Sequence, residues 1–151
     1  MAGGGDGTTG GGSTQPTKAV VKIAMTGTLP TGTLIGGIDI TVSLGPGVTA
    51  KSTSNPPETD AGVVVASGVA STNALILATY TPSSGSAHGT ARLLVIKSSG
   101  FGTGEFATVH GDIAAGYNPT SADFTVNALT VIDLNGAPLS GLTAVFKVNN
   151  Q

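Results

Sequence analysis

"GGIDITVSL", residues 36–44, alternates apolar and polar side chains for most of its length. A strand places successive side chains on opposite faces of a sheet, so a period of two separates a core face from a second face. The second face of this stretch carries Asp39, Thr41 and Ser43. The pattern predicts a half-buried antiparallel strand whose core face holds Ile38, Ile40, Val42 and Leu44.

The same period recurs near both ends of the chain. "KAVVKIAMT" (18–26) and "GLTAVFKVN" (141–149) each alternate a mainly apolar face with a more polar one. Three further segments are apolar on both faces at their centres, and they predict interior strands: "AGVVVASGVA" (61–70), "ALILATY" (74–80) and "TARLLVIKS" (90–98). Short loops rich in Gly, Pro, Ser and Asn separate the segments, as is typical of β-turns.

About nine such strands predict an all-β fold, a β-sandwich of jelly-roll type. One segment breaks the alternation. In "ADFTVNALTVIDL" (122–134), Phe124 and Val126 have one parity, whereas Leu129 and Val131 have the other. A strand can bury both sets on one side only if an extra residue is inserted. We therefore expect a β-bulge near Asn127–Ala128.

Composition divides the chain into two parts. Residues 1–16, "MAGGGDGTTGGGSTQP", are rich in Gly and Thr and have no large apolar residue after Met1. Such a stretch buries too little surface to offset its ordering entropy, which predicts a disordered, flexible tether. Residues 17–151 are long enough for one well-filled core, and we expect them to form a single domain.

Charge and residue usage exclude several classes of function. Only 9% of the residues are charged and the net charge is −2, so no basic surface is expected for nucleic acid. The chain has no cysteine, which excludes disulfides, thiolate catalysis and cysteine-ligated metal. The apolar runs are also too short for a transmembrane helix.

Candidate polar sites are weak when their spacing is considered. Asp133, Asn135 and Gly136 begin like the calcium-binding loop of an EF-hand. That loop needs Gly at its sixth position and Glu at its twelfth, whereas here Gly136 is fourth and Ala144 is twelfth, so a hairpin turn is favoured. His88 and His110, with Asp112 or Glu105, have no spacing that brings them together as metal ligands, so both are expected to be isolated surface residues. We predict no catalytic residue, no metal site and no cofactor.

Two alternatives concern sugars. A carboxylate pair for glycoside hydrolysis could be drawn from Glu58, Asp60, Glu105, Asp112 and Asp123. Aromatic residues that would line a sugar cleft make up only 4% of the chain, and there is no Trp. The four Phe residues lie in or beside strand patterns. Phe106 and Phe124 stand among alternating apolar residues and should be buried, whereas the glycine-rich turn around Phe101 predicts neither burial nor exposure. Only Tyr80 and Tyr117 remain as weak candidates for stacking on a sugar ring.

The order of these features resembles a known family. "AVVKIAMTG" (19–27) followed by "LIGGIDITVSLGPGVTA" (34–50) is similar to the cohesin pattern, with Ile38, Ile40, Val42 and Leu44 at the alternating apolar positions. "TGEFATVHGDIAAGYNPTSADFTVNALTVIDLNGAPLSGLTAVFKV" (103–148) resembles the C-terminal half of a cohesin. Leu44-Gly45 stands where cohesins have Tyr-Asp. The resemblance implies a sandwich of the cohesin and carbohydrate-binding-module group.

The resemblance also implies a function. Cohesins bind protein partners through one flat sheet face, so we expect a non-catalytic, extracytoplasmic protein-interaction module. The glycine-rich start favours an anchored chain, as in a bacterial secreted protein or lipoprotein at the cell surface. Two alternatives stay open: a polysaccharide-binding module, and a structural subunit of a surface layer or filament that self-associates through its sheet edges.

Overall fold

The computed structural model describes residues 15–53, 58–83 and 88–151. Within these ranges the chain forms nine strands, two single-turn 3-10 helices and no α-helix. The 3-10 turns cover Gly68–Ala70 and Ser121–Asp123. The strands are β1 (Lys18–Gly27), β2 (Ile35–Ser43), β3 (Val48–Thr49), β4 (Val64–Ala66), β5 (Leu75–Thr81), β6 (Thr90–Phe101), β7 (Gly104–Ile113), β8 (Thr125–Asp133) and β9 (Leu142–Asn150).

The strands form two antiparallel sheets. One has the order β9–β1–β7–β3, with the short β4 also paired to β7, and the other has the order β5–β6–β2–β8. Most connections pass from one sheet to the other, as in a jelly roll. The prediction of an all-β sandwich of about nine strands is confirmed.

The core lies between the sheets and follows the predicted alternation. The four apolar residues on the inner face of β1 and the four on that of β2 are each at most 1% exposed: Ala19, Val21, Ile23, Met25, Ile38, Ile40, Val42 and Leu44. Phe106 and Phe124, both predicted to be core residues, are buried as well. Phe101, whose glycine-rich surroundings gave no prediction, is also buried, because β6 extends to include it.

The expected bulge is present in β8. Thr41 of β2 pairs with Ala128, but the next residue, Val42, pairs with Val126, so Asn127 is the inserted residue. The insertion lets both parities of β8 face the core. Asn127 itself points outward, where its amide nitrogen donates a hydrogen bond to the Ser43 hydroxyl at 2.8 Å.

The prediction of three interior strands with two buried faces is wrong in part. In 61–70 only Val64–Ala66 is a strand, followed by a 3-10 turn. β5 is an edge strand that exposes Leu75 and Leu77. β6 does lie inside its sheet, but the face that carries Ile96 is exposed. The physical reason is that nothing in the described part of the chain packs over the outer face of this sheet.

The N-terminal boundary can be followed from Gln15 onward. Of the predicted tether, residues 1–16, the first fourteen residues lie outside the described part of the chain. The Gln15 side-chain amide donates to the Tyr117 carbonyl at 2.8 Å. The Thr17 N–H donates to the Gln151 carbonyl at 2.9 Å. Gln15, which the prediction placed in the tether, therefore contacts the sandwich, and the start of the domain at residue 17 stays a prediction.

Candidate interaction face

The outer face of the β5–β6–β2–β8 sheet is built from rows of side chains that run across all four strands. The first row holds Leu75, Ile96, Gly37 and Ile132, and the second holds Leu77, Leu94, Asp39 and Thr130. The next two rows hold Thr79, Arg92, Thr41 and Ala128, then Thr81, Thr90, Ser43 and Thr125. One end of the face is therefore apolar, and the other end is lined with hydroxyl groups.

The apolar end is exposed to an unusual degree for large side chains. The exposed fractions are 55% for Leu75, 52% for Leu77 and 41% for Ile96. These three residues lie on the hydrogen-bonded strands β5 and β6, where Leu75 is directly opposite Ile96. Contiguous apolar surface of this kind on a rigid sheet is typical of an interaction site.

An ion pair marks the boundary between the apolar and hydroxyl halves. The Arg92 guanidinium donates two hydrogen bonds to the Asp39 carboxylate, Nε to Oδ1 at 3.0 Å and Nη2 to Oδ2 at 2.7 Å. Hydrogen bonding from Arg92 is the main cause that holds the pKa of Asp39 below its ordinary value, against the opposing effect of burial. The planar bidentate geometry fixes both side chains on the surface of the sheet.

A cleft of about 450 Å³ adjoins this face at β5. The segment 58–62 folds along the β5 edge, where the Thr59 N–H donates to the Ala78 carbonyl at 3.1 Å. Glu58 and Asp60 line the cleft together with Leu77, Arg92 and Leu94. Carboxylates therefore flank the apolar patch on its β5 side.

Most of the other candidate acids have structural partners. The Asp133 carboxylate accepts hydrogen bonds from the N–H groups of Asn135 and Ala137 at 2.8 and 2.9 Å, and Gly136 has a φ of 82°. The turn interpretation of this segment is confirmed. Three more acids pair within the domain: Glu105 with Lys22, Asp112 with Lys18, and Asp123 with Thr120 in a capping box.

The two histidines lie in different places. His110 is on β7, is exposed as predicted, and borders a shallow depression with Lys51 and Asp60. His88 borders another depression beside Asp123 and Asn127. Across residues 15–53, 58–83 and 88–151, no three side chains of His, Asp or Glu are grouped as metal ligands.

The two tyrosines differ sharply in exposure. Tyr80 is 4% exposed, and burial raises the pKa of its hydroxyl, although a hydrogen bond from the Ala50 backbone opposes that rise. Its ring has no face free for a sugar. Tyr117 is 44% exposed and packs one side against Gly47, where a Cβ atom would overlap the ring. The structure thus leaves Tyr117 as the single surface tyrosine.

The sequence contained a signal for the outer face that the apolar runs concealed. Leu75 and Leu77 have the same parity as Thr79 and Thr81, and Leu94 has the same parity as Arg92. A face that includes Thr and Arg is not a core face, so these leucines had to point outward. Each run contains so many apolar residues that burial of both faces was predicted, although the parity with Thr and Arg separates an outward face from an inward one.

Comparison with known proteins was informative only for structure. No protein-family model and no curated protein matches the sequence. The fold matches a solved structure described as a non-cellulosomal cohesin from the hyperthermophilic archaeon Archaeoglobus fulgidus, with a TM-score of 0.54. The match covers 83% of this chain and 75% of the archaeal chain. The chain has a cohesin-like fold.

The cohesin-like fold confirms the structural part of the sequence resemblance. Sequence identity to the archaeal cohesin is 14%, which establishes architecture and leaves individual site residues untransferred. Leu44-Gly45 stands where cohesins have Tyr-Asp. In this domain Leu44 is 1% exposed and extends the buried inner face of β2 by one residue beyond the strand. In the part of the chain that the structure describes, no helix has the length and hydropathy to cross a membrane.

The ion pair on the outer face gives a pH-dependent prediction. Because the folded-state pKa of Asp39 is lowered, the pair stabilises the fold above the ordinary carboxyl value of 3.8 and loses that effect as the pH falls through the folded value. We expect Asp39→Asn to lower the urea midpoint slightly at neutral pH, because exposed pairs contribute little. Well below pH 3.8 the two proteins should have the same midpoint, and an undiminished difference there would contradict this assignment.

Proposed function

We propose that this domain is a non-catalytic protein-interaction module that binds its partner on the outer face of the β5–β6–β2–β8 sheet. The observation that carries the proposal is the contiguous patch of Leu75, Leu77 and Ile96, which stands beside a hydroxyl-lined surface on the same rigid strands. Such a face can bury apolar side chains at the Leu75–Ile96 end and satisfy polar groups at the hydroxyl-lined end.

The side chains of the face indicate which residues a partner would present to it. The Leu75–Ile96 end fits apolar side chains from a folded protein surface. Asp39 is already neutralised by Arg92, whereas Glu58 and Asp60 at the adjoining cleft favour a Lys or Arg on the partner. We infer a partner with an apolar centre and a basic residue at the edge that meets β5.

The other functions have less support from the structure. The acids Glu105, Asp112, Asp123 and Asp133 serve ion pairs, a cap and a turn, so a catalytic carboxylate pair would have to come from Glu58 and Asp60 alone. A polysaccharide-binding platform would depend on Tyr117 without a second exposed aromatic ring, since the Tyr80 ring is buried. Both considerations favour binding of a protein.

An extracytoplasmic location is part of this proposal. Its support is compositional: 9% charged residues and a sheet surface in which Thr and Ser replace Lys and Glu. Attachment to the cell surface through residues 1–16 would place the outer face within reach of secreted or surface proteins, because a glycine-rich segment acts as a flexible linker.

The test combines capture with a matched pair of variants. Secreted and envelope fractions of the source organism are passed over the immobilised domain, and the captured protein is identified and its affinity measured. Leu77→Asp should weaken binding by about tenfold or more, because it puts a charge in the apolar centre. Val69→Asp is the control, since Val69 is 38% exposed on the 3-10 turn after β4, away from the rows of the outer face.

The outcomes separate the candidates. A protein that binds wild type and Val69→Asp equally, and Leu77→Asp weakly, supports the outer face as its site. Equal binding to all three proteins, or loss only in Val69→Asp, would refute the proposed site. Retention of a polysaccharide with affinity reduced by Tyr117→Ala would favour a sugar-binding module instead.

A further inference from the structure

The outer edge of β9 differs from the other sheet edges. β3 and β4 have only two and three residues. The β5 edge is partly covered by the segment around Thr59, and the β8 edge by the segment around Leu139 and by the bulge at Asn127. β9 has nine residues, pairs continuously with β1 and contains no proline or bulge. Natural sheets usually shorten, bend or cover such an edge.

The free backbone groups of β9 can be assigned from its pairing. Lys18 and Gln151 exchange both N–H to carbonyl hydrogen bonds, at 3.0 and 2.8 Å. Such pairs recur at every second residue of an antiparallel ladder, so the even-numbered residues of β9 direct their N–H and C=O groups away from β1. In the described ranges, no hydrogen bond reaches the outward groups of Leu142, Ala144, Phe146 and Val148.

One end of this edge is closed. The Asn150 side chain donates to the Asn118 side-chain oxygen and to the Pro119 carbonyl, both at 2.8 Å. Residues 118–119 therefore lie against the C-terminal end of the strand. We call Leu142–Val148 the open segment, because its outward N–H and C=O groups have no hydrogen-bond partner in the described ranges. The centre of the open segment is Val145.

We propose that a second copy of this chain pairs with the open segment, β9 against β9, as an antiparallel two-fold dimer centred on Val145. In this register Leu142 and Ala144 exchange hydrogen bonds with Val148 and Phe146 of the second copy. All four outward-facing residues then find a partner. The five-stranded sheets of the two copies join into one continuous sheet.

The exposed side chains suit that register. Val145, 46% exposed, meets its own counterpart at the two-fold axis. Lys147 lies opposite Thr143 of the second copy rather than opposite another Lys. The Thr143 hydroxyl is 2.9 Å from that of Thr26, so the lysine ammonium meets a pair of hydroxyl oxygens. No like charges on β9 face each other across the axis.

The symmetry sets the size of the assembly. The same surface is used on both copies, so the contact closes at two and cannot propagate. A dimer also places the two outer faces of the β5–β6–β2–β8 sheets on one particle, with each left open. The β9 contact and the proposed partner site are therefore separate surfaces.

Single-cysteine cross-linking tests the register directly. The natural chain has no cysteine, so each variant carries one thiol. Val145 and its counterpart form a non-hydrogen-bonded pair with a Cα separation of about 4.5 Å, which falls within the disulfide range. We expect Val145→Cys to form a disulfide dimer under mild oxidation. Thr143→Cys and Lys147→Cys should each fail alone but cross-link when mixed, because those residues oppose each other.

Sedimentation over a range from low micromolar to millimolar concentration tests the association without a cross-link. Wild type should approach twice the monomer mass of 14.6 kDa. Val145→Lys, which would place two ammonium groups at the axis, should stay monomeric. Ala144→Pro should also stay monomeric while remaining folded, because it removes only an outward N–H. Leu77→Lys, on the opposite sheet, is the matched control and should dimerise.

Three results would overturn the proposal. The first is a wild-type protein that stays monomeric throughout the range. The second is equal self-cross-linking at positions 143, 145 and 147. The third is association lost in Leu77→Lys but kept in Val145→Lys, which would move the contact to the outer face.

Discussion

Phe124→Ala is expected to lower the free energy of unfolding by about 3–5 kcal/mol, as for other large deletions in a packed core. Phe124 is 4% exposed and stands at the entry to β8, just after the 3-10 turn. Its ring lies 5.8 Å from that of Phe146 on β9, so the pair joins the two sheets at this side of the sandwich. Removing the ring leaves a cavity that strands held in two sheets cannot close.

Urea denaturation at equilibrium measures the loss, and two comparisons make it specific. His110→Ala should change stability by no more than about 0.5 kcal/mol, because His110 is exposed and points away from the core. A double-mutant cycle of Phe124→Ala with Phe146→Ala should give a coupling of about 0.5–1.5 kcal/mol for the ring contact. A cost below about 1 kcal/mol for Phe124→Ala would mean that this side of the sandwich is not a packed core.

The sequence was sufficient to predict the parts of the fold that depend on local periodicity. The inner faces of β1 and β2, the burial of Phe106 and the bulge at Asn127 all follow from the alternation of side chains. The reason is physical: a single buried face fixes the register of a strand, and a change of parity then requires an inserted residue. The turn at Asn135-Gly136 was predictable from local residue types, because Gly136 adopts a positive φ of 82°, which glycine tolerates best.

Pairing between distant strands could not be predicted in the same way. The parity of Leu75 and Leu77 with Thr79 indicates which face they occupy, but whether another element packs over that face depends on distant parts of the chain. The apolar patch forms because β5 pairs with β6 and brings Leu77 close to Ile96, and the sequence alone does not specify that pairing. Tyr80 was a candidate for an exposed, sugar-stacking ring, and the structure shows it buried. Its burial depends on contacts with the distant residues Ala50 and Gly89.

Gly68→Ala is expected to be the most damaging of the small substitutions. Gly68 opens the 3-10 turn after β4 with a φ of 58°, in the left-handed region that costs an L-residue about 1–2 kcal/mol. A Cβ atom there would overlap the Glu105 backbone carbonyl and approach the Glu105 Cβ to 2.8 Å. Glu105 pairs with Ala24 of β1, so its carbonyl cannot move far without disturbing that pairing.

Gly62→Ala is the matched control, since Gly62 also has a positive φ, 82°, but nothing within 4 Å of its Cβ position. Both variants carry the backbone strain, so the difference between their unfolding free energies isolates the overlap. We expect Gly68→Ala to be about 1–3 kcal/mol the less stable of the two. Adding Glu105→Ala should not restore it, because the obstructing oxygen belongs to the backbone. Equal stability of the two glycine variants would show that the turn can move away from β7, and rescue by Glu105→Ala would place the obstruction in the side chain.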